Sequence, residues 1–164
     1  MSIMKSRPQY QAVLAAPFGK LGIHCEGELL TGIDWLPHSH AELAPATPFA
    51  QRVCAQLNEY FRNPDFRFTL PLRLNGTDHQ QRVWRAMCAI PRGQTRQYGE
   101  LARELASSPR AVGQACGANP IPIVVPCHRV VGKSGIGGFA HHTNGYTMDI
   151  KRWLLAHEAA QLLP

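Results

Sequence analysis

An apolar run that leads into a cysteine and a histidine constrains the fold of this chain more than any other stretch. Residues 121–125 read Ile-Pro-Ile-Val-Val, and residues 126–130 read Pro-Cys-His-Arg-Val. An unbroken apolar run is typical of a buried strand, so we expect residues 121–125 to enter the protein interior. The Cys127 thiol is then predicted to lie at the mouth of a pocket, beside a titratable base.

Composition predicts a protein that folds without disulfides. The chain has 164 residues, of which 45% are hydrophobic, and this is enough to bury a core. No apolar stretch reaches the roughly 18 residues of a membrane helix and the N-terminus lacks a signal-peptide core, so no membrane partner is expected. An odd number of widely spaced cysteines predicts free thiols and a reducing, cytoplasmic location. These are Cys25, Cys54, Cys88, Cys116 and Cys127.

The net charge of +6 lies entirely in the second half of the chain. Residues 1–79 carry seven basic and seven acidic side chains, whereas residues 80–164 carry ten and four. A basic surface is the footprint of nucleic-acid binding, because neutralised phosphates release counterions. A solvated basic face without a partner has the same composition, so charge alone leaves both interpretations open.

The first module is predicted to comprise residues 1–74 and to have an α+β arrangement. Alternating apolar and polar residues predict a three-stranded β-meander. Its strands are expected at residues 11–15, 21–25 and 29–35. A Thr-Pro pair at positions 47–48 predicts the start of a helix, and residues 66–72 resemble another short strand.

The second module, residues 75–164, is predicted to be mainly helical. Helices are expected at residues 78–90, 98–105, 108–119 and 148–162. The two short helices on either side of Ser107 form a candidate helix-turn-helix. The second of them has very small side chains and two glycines, each of which costs about 1 kcal/mol relative to alanine. Close approach to another backbone explains them, either a neighbouring helix or nucleic acid.

Cys127 and His128 form a candidate pair of nucleophile and base. A free thiol is mostly protonated at neutral pH, and His128, Arg129 and nearby helix N-termini are candidate sources of thiolate stabilisation. Adjacent residues point in different directions, so His128 is expected to reach the thiol through a turn or a water. Glu158 interrupts the apolar side of the last helix and is the best carboxylate to orient the imidazole.

No metal site or cofactor is expected. The eight histidines are not accompanied by a Cys-x-x-Cys pair, and His157 with Glu158 lacks a second histidine at metalloprotease spacing. Cys54, Cys88 and Cys116 lie on helical patterns and are predicted to be small core residues.

Residues 119–131, NPIPIVVPCHRVV, closely resemble the active-site signature of O6-alkylguanine-DNA alkyltransferases, also called methylated-DNA–protein-cysteine methyltransferases. The resemblance continues through residues 97–102, 110–113 and 151–158, and covers nearly all of residues 78–163. It implies a two-domain α+β protein. The first domain would resemble ribonuclease H, and the second would be a winged-helix, helix-turn-helix DNA-binding domain.

The resemblance implies direct repair of O6-alkylguanine, and of O4-alkylthymine, in double-stranded DNA by a monomer. The alkyl group would pass irreversibly to Cys127, so that each molecule acts once. His128 would take the thiol proton through water while Glu158 holds its other ring nitrogen. Asn119 would brace the site by hydrogen bonding.

The remaining implied roles concern guanine and DNA. Tyr98 would donate a proton to the departing base, and Lys151 could lower the pKa of that phenol. The target base must be flipped out of the duplex. Arg110 would take its place in the stack, while the small-residue helix lies in the minor groove. The implied DNA-binding residues are Arg110, Ala111, Gly113 and Ala115.

The alkyl pocket is implied to be lined by Val130, Phe139 and Ala140. The stretch between Gly138 and Tyr146 is longer than the family pattern, and it is expected to influence which alkyl groups fit. The zinc ligands of some eukaryotic members have no counterparts here.

Three other functions remain as alternatives. A non-catalytic alkyltransferase-like protein would bind the lesion, but such proteins replace the cysteine, which is present here as Cys127. A sequence-specific winged-helix regulator would prefer particular undamaged duplexes, because regulators read base edges. A Cys-His-Glu hydrolase would turn over an ester or amide.

Overall fold

The first module is an antiparallel sheet with one helix, in a computed structural model that describes residues 9–133, 135 and 148–159. The strands β1 (Ala12–Ala16), β2 (Gly19–Glu26) and β3 (Leu29–Leu36) pair in sequence order, which confirms the predicted meander. The helix α1 (Pro48–Arg62) begins where the Thr-Pro pair predicted. The Thr47 hydroxyl accepts from the backbone N–H of Ala50 at 3.1 Å, which caps the helix.

The prediction of a strand at residues 66–72 is wrong. This segment has no regular secondary structure and joins the sheet only through an isolated bridge between Leu30 and Leu72. Pro71 has no N–H to donate to a neighbouring strand. The backbone N–H of Thr69 donates instead to the Gln56 side chain at 3.0 Å. A side chain of α1 therefore replaces part of the ladder that a strand would need.

The second module contains four helices within the described residues, as predicted. They are α2 (Asp78–Cys88), α3 (Tyr98–Glu104), α4 (Pro109–Gly117) and α5 (Met148–Ala159). Helix α2 ends at Cys88, earlier than expected, and the predicted last residues of α5 lie outside the described residues. Two short strands, β4 (Arg96–Gln97) and β5 (Val130–Val131), pair in parallel. The two modules together form the predicted α+β architecture.

Residues 121–125 enter the core as predicted, but they form a tight turn and not a strand. The Val125 N–H donates to the Ile121 carbonyl at 2.9 Å. Ile123 is buried with φ 73°, in the left-handed region that β-branched residues rarely adopt. The prolines at positions 122 and 126 cannot donate to a strand partner, which favours a turn over a ladder. A short 3-10 helix, Cys127–Arg129, follows at once.

One continuous core joins the two modules. The Ile33 N–H of β3 donates to the Pro120 carbonyl at 2.9 Å, so the sheet is hydrogen-bonded directly to the turn before Cys127. The Trp153 ring of α5 packs edge-on against Phe18 and Phe61, with centroids 5.5 and 5.9 Å apart. In the described part of the chain, no helix has the length and apolar character needed to cross a membrane.

Candidate active site

Cys127 is the first residue of the 3-10 helix and is half-buried. Its N–H donates to the Val125 carbonyl at 2.9 Å. Asn119 fixes the preceding turn at both ends, because its Nδ2 donates to the same Val125 carbonyl at 2.8 Å and its Oδ1 accepts from the Ile121 N–H at 3.0 Å. The position of the thiol is therefore set by the Asn119 side chain and the turn that it closes.

His128 points into the interior and contacts the predicted carboxylate. Its Nε2 lies 2.8 Å from Oε2 of Glu158, and both side chains are 1% exposed. An ionised carboxylate can only accept, so Nε2 carries the ring proton. The Nδ1 atom is buried and makes no hydrogen bond with the residues that the structure describes. It is therefore an acceptor available to a group in the site.

The Glu158 carboxylate accepts four hydrogen bonds. Arg129 donates from Nε to Oε1 at 3.0 Å and from Nη2 to Oε2 at 2.9 Å, and the Tyr60 hydroxyl donates to Oε2 at 2.7 Å. Burial alone would raise the pKa of Glu158, but hydrogen bonds from His128 and Arg129 hold it well below the usual range. The carboxylate is thus ionised at neutral pH.

The thiol and the imidazole are both neutral in the resting protein. Burial raises the pKa of the Cys127 thiol, although Asn119 and Lys151 oppose the change. Burial also lowers the pKa of His128 and outweighs the attraction of Glu158. A neutral imidazole with a free Nδ1 is able to accept a proton from a neighbouring group.

Arg129, one of the candidate sources of thiolate stabilisation, is not among the groups that lower the pKa of Cys127. Its guanidinium is directed to Glu158 and to the Ile90 carbonyl, to which Nη1 donates at 2.7 Å. Lys151 is the cation whose charge favours the thiolate of Cys127. Arg129 pairs with the buried Glu158 because the carboxylate offers two acceptor oxygens to the two parallel N–H donors of the guanidinium.

Tyr98 and Lys151 contact each other in the protein interior. Lys151 is 2% exposed, and its Nζ donates to the Val130 carbonyl at 2.8 Å and to the Tyr98 hydroxyl at 3.4 Å. The expected lowering of the phenol pKa is wrong, because burial raises the pKa of Tyr98. Tyr98 therefore remains a proton donor. Phe139 and Ala140, the other predicted pocket residues beside Val130, lie outside the described residues.

Helix α4 places the predicted DNA-binding residues on different sides. Arg110 is exposed in the first turn and Ala111 is half-buried. Gly113 and Ala115 are buried, and the Ala115 carbonyl accepts from Nε1 of Trp84 on α2 at 2.8 Å. The expectation that Gly113 and Ala115 face DNA is corrected by this packing.

Sequence reasoning missed the part that Tyr60 plays. Tyr60 lies on the buried side of α1, and a buried tyrosine requires a partner for its hydroxyl. The need for a hydroxyl partner was the one sign in the sequence that Tyr60 makes a polar contact, and Glu158 is that partner.

A cavity of about 580 Å³ lies between the modules, beside Tyr60 and Arg129. Cys88 lines this cavity and is exposed, so its prediction as a core residue is wrong; Cys54 and Cys116 are buried as predicted. All five cysteines lie in the described ranges and are free thiols. Among the residues that the structure describes, no group of three or more histidine, cysteine or acidic side chains is arranged to hold a metal ion.

Comparison with protein families identifies two matching regions. Residues 78–160 match the family model described as 6-O-methylguanine DNA methyltransferase, DNA binding domain. Residues 9–74 match the model for the ribonuclease-like domain of the same methyltransferase. The matched regions together contain every described residue named above in the site.

Individual proteins show the same likeness. A methylated-DNA–protein-cysteine methyltransferase of Mycobacterium bovis is 43% identical over 126 residues, covering 73% of this chain and 76% of that protein. One from Shigella flexneri is 36% identical over 169 residues, covering 92% and 95%. The crystal structure of Mycobacterium tuberculosis OGT in complex with DNA superimposes with a TM-score of 0.76 at 41% identity, covering 91% and 92% of the two chains.

Proposed function

Because the chain belongs to the 6-O-methylguanine DNA methyltransferase family, we propose that Cys127 is the residue that accepts the alkyl group. The protein repairs DNA by direct reversal, in which an alkyl group is transferred from the DNA to a protein cysteine. The observation that carries the assignment to Cys127 is the buried His128–Glu158 pair beside it, with Nδ1 of His128 left as an acceptor.

The reaction begins with transfer of the Cys127 proton to Nδ1 of His128 through a bridging water. Nε2 remains bonded to ionised Glu158, which stabilises the imidazolium that forms. The thiolate then attacks the alkyl carbon, a carbon–sulfur bond forms, and the bond from that carbon to O6 of guanine breaks. The bonding electron pair leaves with guanine.

Tyr98 donates a proton to the departing guanine, and Lys151 stabilises the resulting phenolate through its contact at 3.4 Å. The raised pKa of Tyr98 keeps the phenol protonated until that step. Water does not readily hydrolyse the thioether formed at Cys127, so each molecule acts once.

The substrate is double-stranded DNA that bears O6-alkylguanine, with O4-alkylthymine as a second lesion, and the protein acts as a monomer. The target atom is inaccessible in a stacked duplex, so the nucleotide is flipped out at a cost of a few kcal/mol. Exposed Arg110 fills the space in the stack, and Ala111 faces the minor groove. The similarity to a relative crystallised with DNA supports this interface.

Several finer features of the fold belong to the same proposal. The first domain, residues 1–74, has a ribonuclease H-like arrangement, and the second, residues 75–164, is a winged helix. The adjacent helices α3 and α4 and the small β4–β5 sheet support the second assignment. The five free thiols support a cytoplasmic location. The stretch 138–146 lies outside the described residues, and its influence on which alkyl groups fit stays a prediction.

Intact mass measurement tests the function directly. After incubation with duplex DNA containing O6-methylguanine, the protein should gain about 14 Da, the mass of CH2, and the adduct should map to Cys127. Cys127→Ser should abolish the gain and keep DNA affinity. Unmodified wild-type protein that still binds the lesion would identify a non-catalytic binder, and repeated turnover of an ester would identify a hydrolase. Strong preference among undamaged duplexes would identify a regulator.

A further inference from the structure

Tyr60 connects the first module to the carboxylate of the active site. It lies near the end of α1, is 1% exposed, and donates from its hydroxyl to Oε2 of Glu158 at 2.7 Å. Burial raises the pKa of this phenol, so it stays protonated and remains a donor. A residue 98 positions away in sequence therefore contacts the group that orients His128.

The hydroxyl completes the set of donors around one carboxylate oxygen. Oε2 of Glu158 accepts from Tyr60, His128 and Arg129, whereas Oε1 accepts from Arg129. Arg129 approaches along the fork of the carboxylate, and Tyr60 approaches from the α1 side. With both present, the carboxylate cannot turn away from the imidazole without breaking a charge-assisted hydrogen bond.

Tyr60 also holds the residue beside Glu158. Its backbone carbonyl accepts from Nε2 of His157 at 2.7 Å, and the two rings meet edge-on with centroids 5.2 Å apart. Arg92 adds a bond from Nη1 to the Glu158 carbonyl at 3.4 Å, while pairing with Asp65 of the first module. The end of α5 is thus fixed by contacts that begin in the first module.

We propose that Tyr60 is a positioning residue for alkyl transfer, which holds the Glu158 carboxylate against Nε2 of His128 so that the ring keeps its orientation and Nδ1 stays free for the thiol proton. This role rests on the proposed function of Cys127. It gives the first module a direct part in the chemistry, although the nucleophile, the base and the carboxylate all belong to the second.

Loss of the hydroxyl has a defined electrostatic consequence. With one donor fewer on Oε2, the carboxylate attracts the Nε2 proton more strongly, and the protonated imidazole gains stability. The other groups that act on His128 stay the same: Arg129 in the 3-10 helix and Lys151 on α5 both oppose its protonation. His128 of Tyr60→Phe should therefore titrate at a higher pH than that of the wild type.

The test compares Tyr60→Phe with Tyr10→Phe. Tyr10 also lies in the first module and donates its hydroxyl to a carboxylate, Oδ2 of Asp34 at 3.1 Å, so the control loses a similar bond away from the site. Two quantities are measured across pH: the single-turnover rate of methyl transfer from O6-methylguanine duplex, and the His128 titration by NMR on DNA-free protein. Melting temperature and DNA affinity are recorded for each variant.

Tyr60→Phe should transfer about tenfold more slowly at neutral pH, the effect of one lost hydrogen bond to a charged group. Its His128 midpoint should rise by roughly half a pH unit. Tyr10→Phe should match the wild type in both. A Tyr60→Phe protein with wild-type rate and midpoint, or one whose slower transfer is accompanied by an unmoved midpoint, would overturn the proposal. Wild-type protein that forms no thioether would instead refute the proposed function, and the NMR titration would still decide whether Tyr60 controls His128.

Discussion

His128 and Glu158 form a buried pair in which Nε2 and Oε2 are 2.8 Å apart and neither side chain is more than 1% exposed. Burial lowers the pKa of His128, while His128 and Arg129 lower the pKa of Glu158 against the opposing effect of burial. Both groups therefore bind protons more readily in the unfolded chain than in the folded protein. The two shifts affect stability in the same direction.

The free energy of unfolding should fall as the solution becomes acidic. The loss should begin below about pH 6.5, the ordinary pKa of histidine, and continue below about pH 4.3, that of glutamate. Thermal melts over a pH series measure it. Glu158→Gln should show a weaker dependence below about pH 4.3, because its amide does not titrate there. A wild-type melting temperature that stays level through both ranges would contradict the assigned charges.

Asn119→Ala should destabilise the protein by about 2–4 kcal/mol, because the Val125 carbonyl and the Ile121 N–H lose a buried partner. Methyl transfer should also slow, since the turn that presents Cys127 loses its brace. Chemical denaturation and single-turnover assays measure the two effects. Asn58→Ala, an exposed position on α1, is the matched control and should change neither. Equal stability of the two variants would show that Asn119 does not brace the turn.

Tyr98→Phe should slow transfer by about 100-fold, the usual contribution of a positioned acid, and should leave DNA affinity near the wild-type value. Since burial raises the pKa of Tyr98, its ionisation should appear above about pH 10. The difference in ultraviolet absorbance between wild type and variant, followed during an alkaline titration, isolates this phenol. Ionisation at or below the ordinary phenol pKa would exclude its role as the donor.

Arg110→Ala should weaken repair of duplex DNA by about tenfold or more, because the flipped state loses the group that fills the stack. Reaction with a free O6-alkylguanine base should be nearly unchanged, since no base is flipped. Arg110→Lys keeps the charge and tests whether the planar guanidinium is required. Equal losses on duplex and free base would count against insertion into the stack.

Local patterns predicted the elements whose structure depends on nearby residues. The Thr-Pro pair at positions 47–48 and Ser108 with Pro109 marked helix starts because capping and the fixed φ of proline act within one turn. The strand predicted at 66–72 did not form, in part because α1 side chains take both backbone groups of Thr69, which no local pattern reveals.

Contacts between residues far apart in sequence account for the remaining differences between the predicted and the observed site. The sequence singled out Glu158 because a carboxylate interrupts an apolar stripe, and the structure places it on His128. Arg129 was one of several candidates for stabilising the thiolate, but Glu158 of α5 accepts its hydrogen bonds instead. The direction that Gly113 and Ala115 face depends on the packing of α2, so composition alone left both partners open.

The raised pKa of the Cys127 thiol also determines how well the protein survives before it meets a lesion. Because each molecule reacts once, a molecule whose cysteine is oxidised before it meets a lesion can make no repair at all. Oxidants attack thiolates much faster than thiols. A cysteine that stays protonated at rest, and in the proposed reaction loses its proton to His128, is held before that reaction in its less oxidisable form.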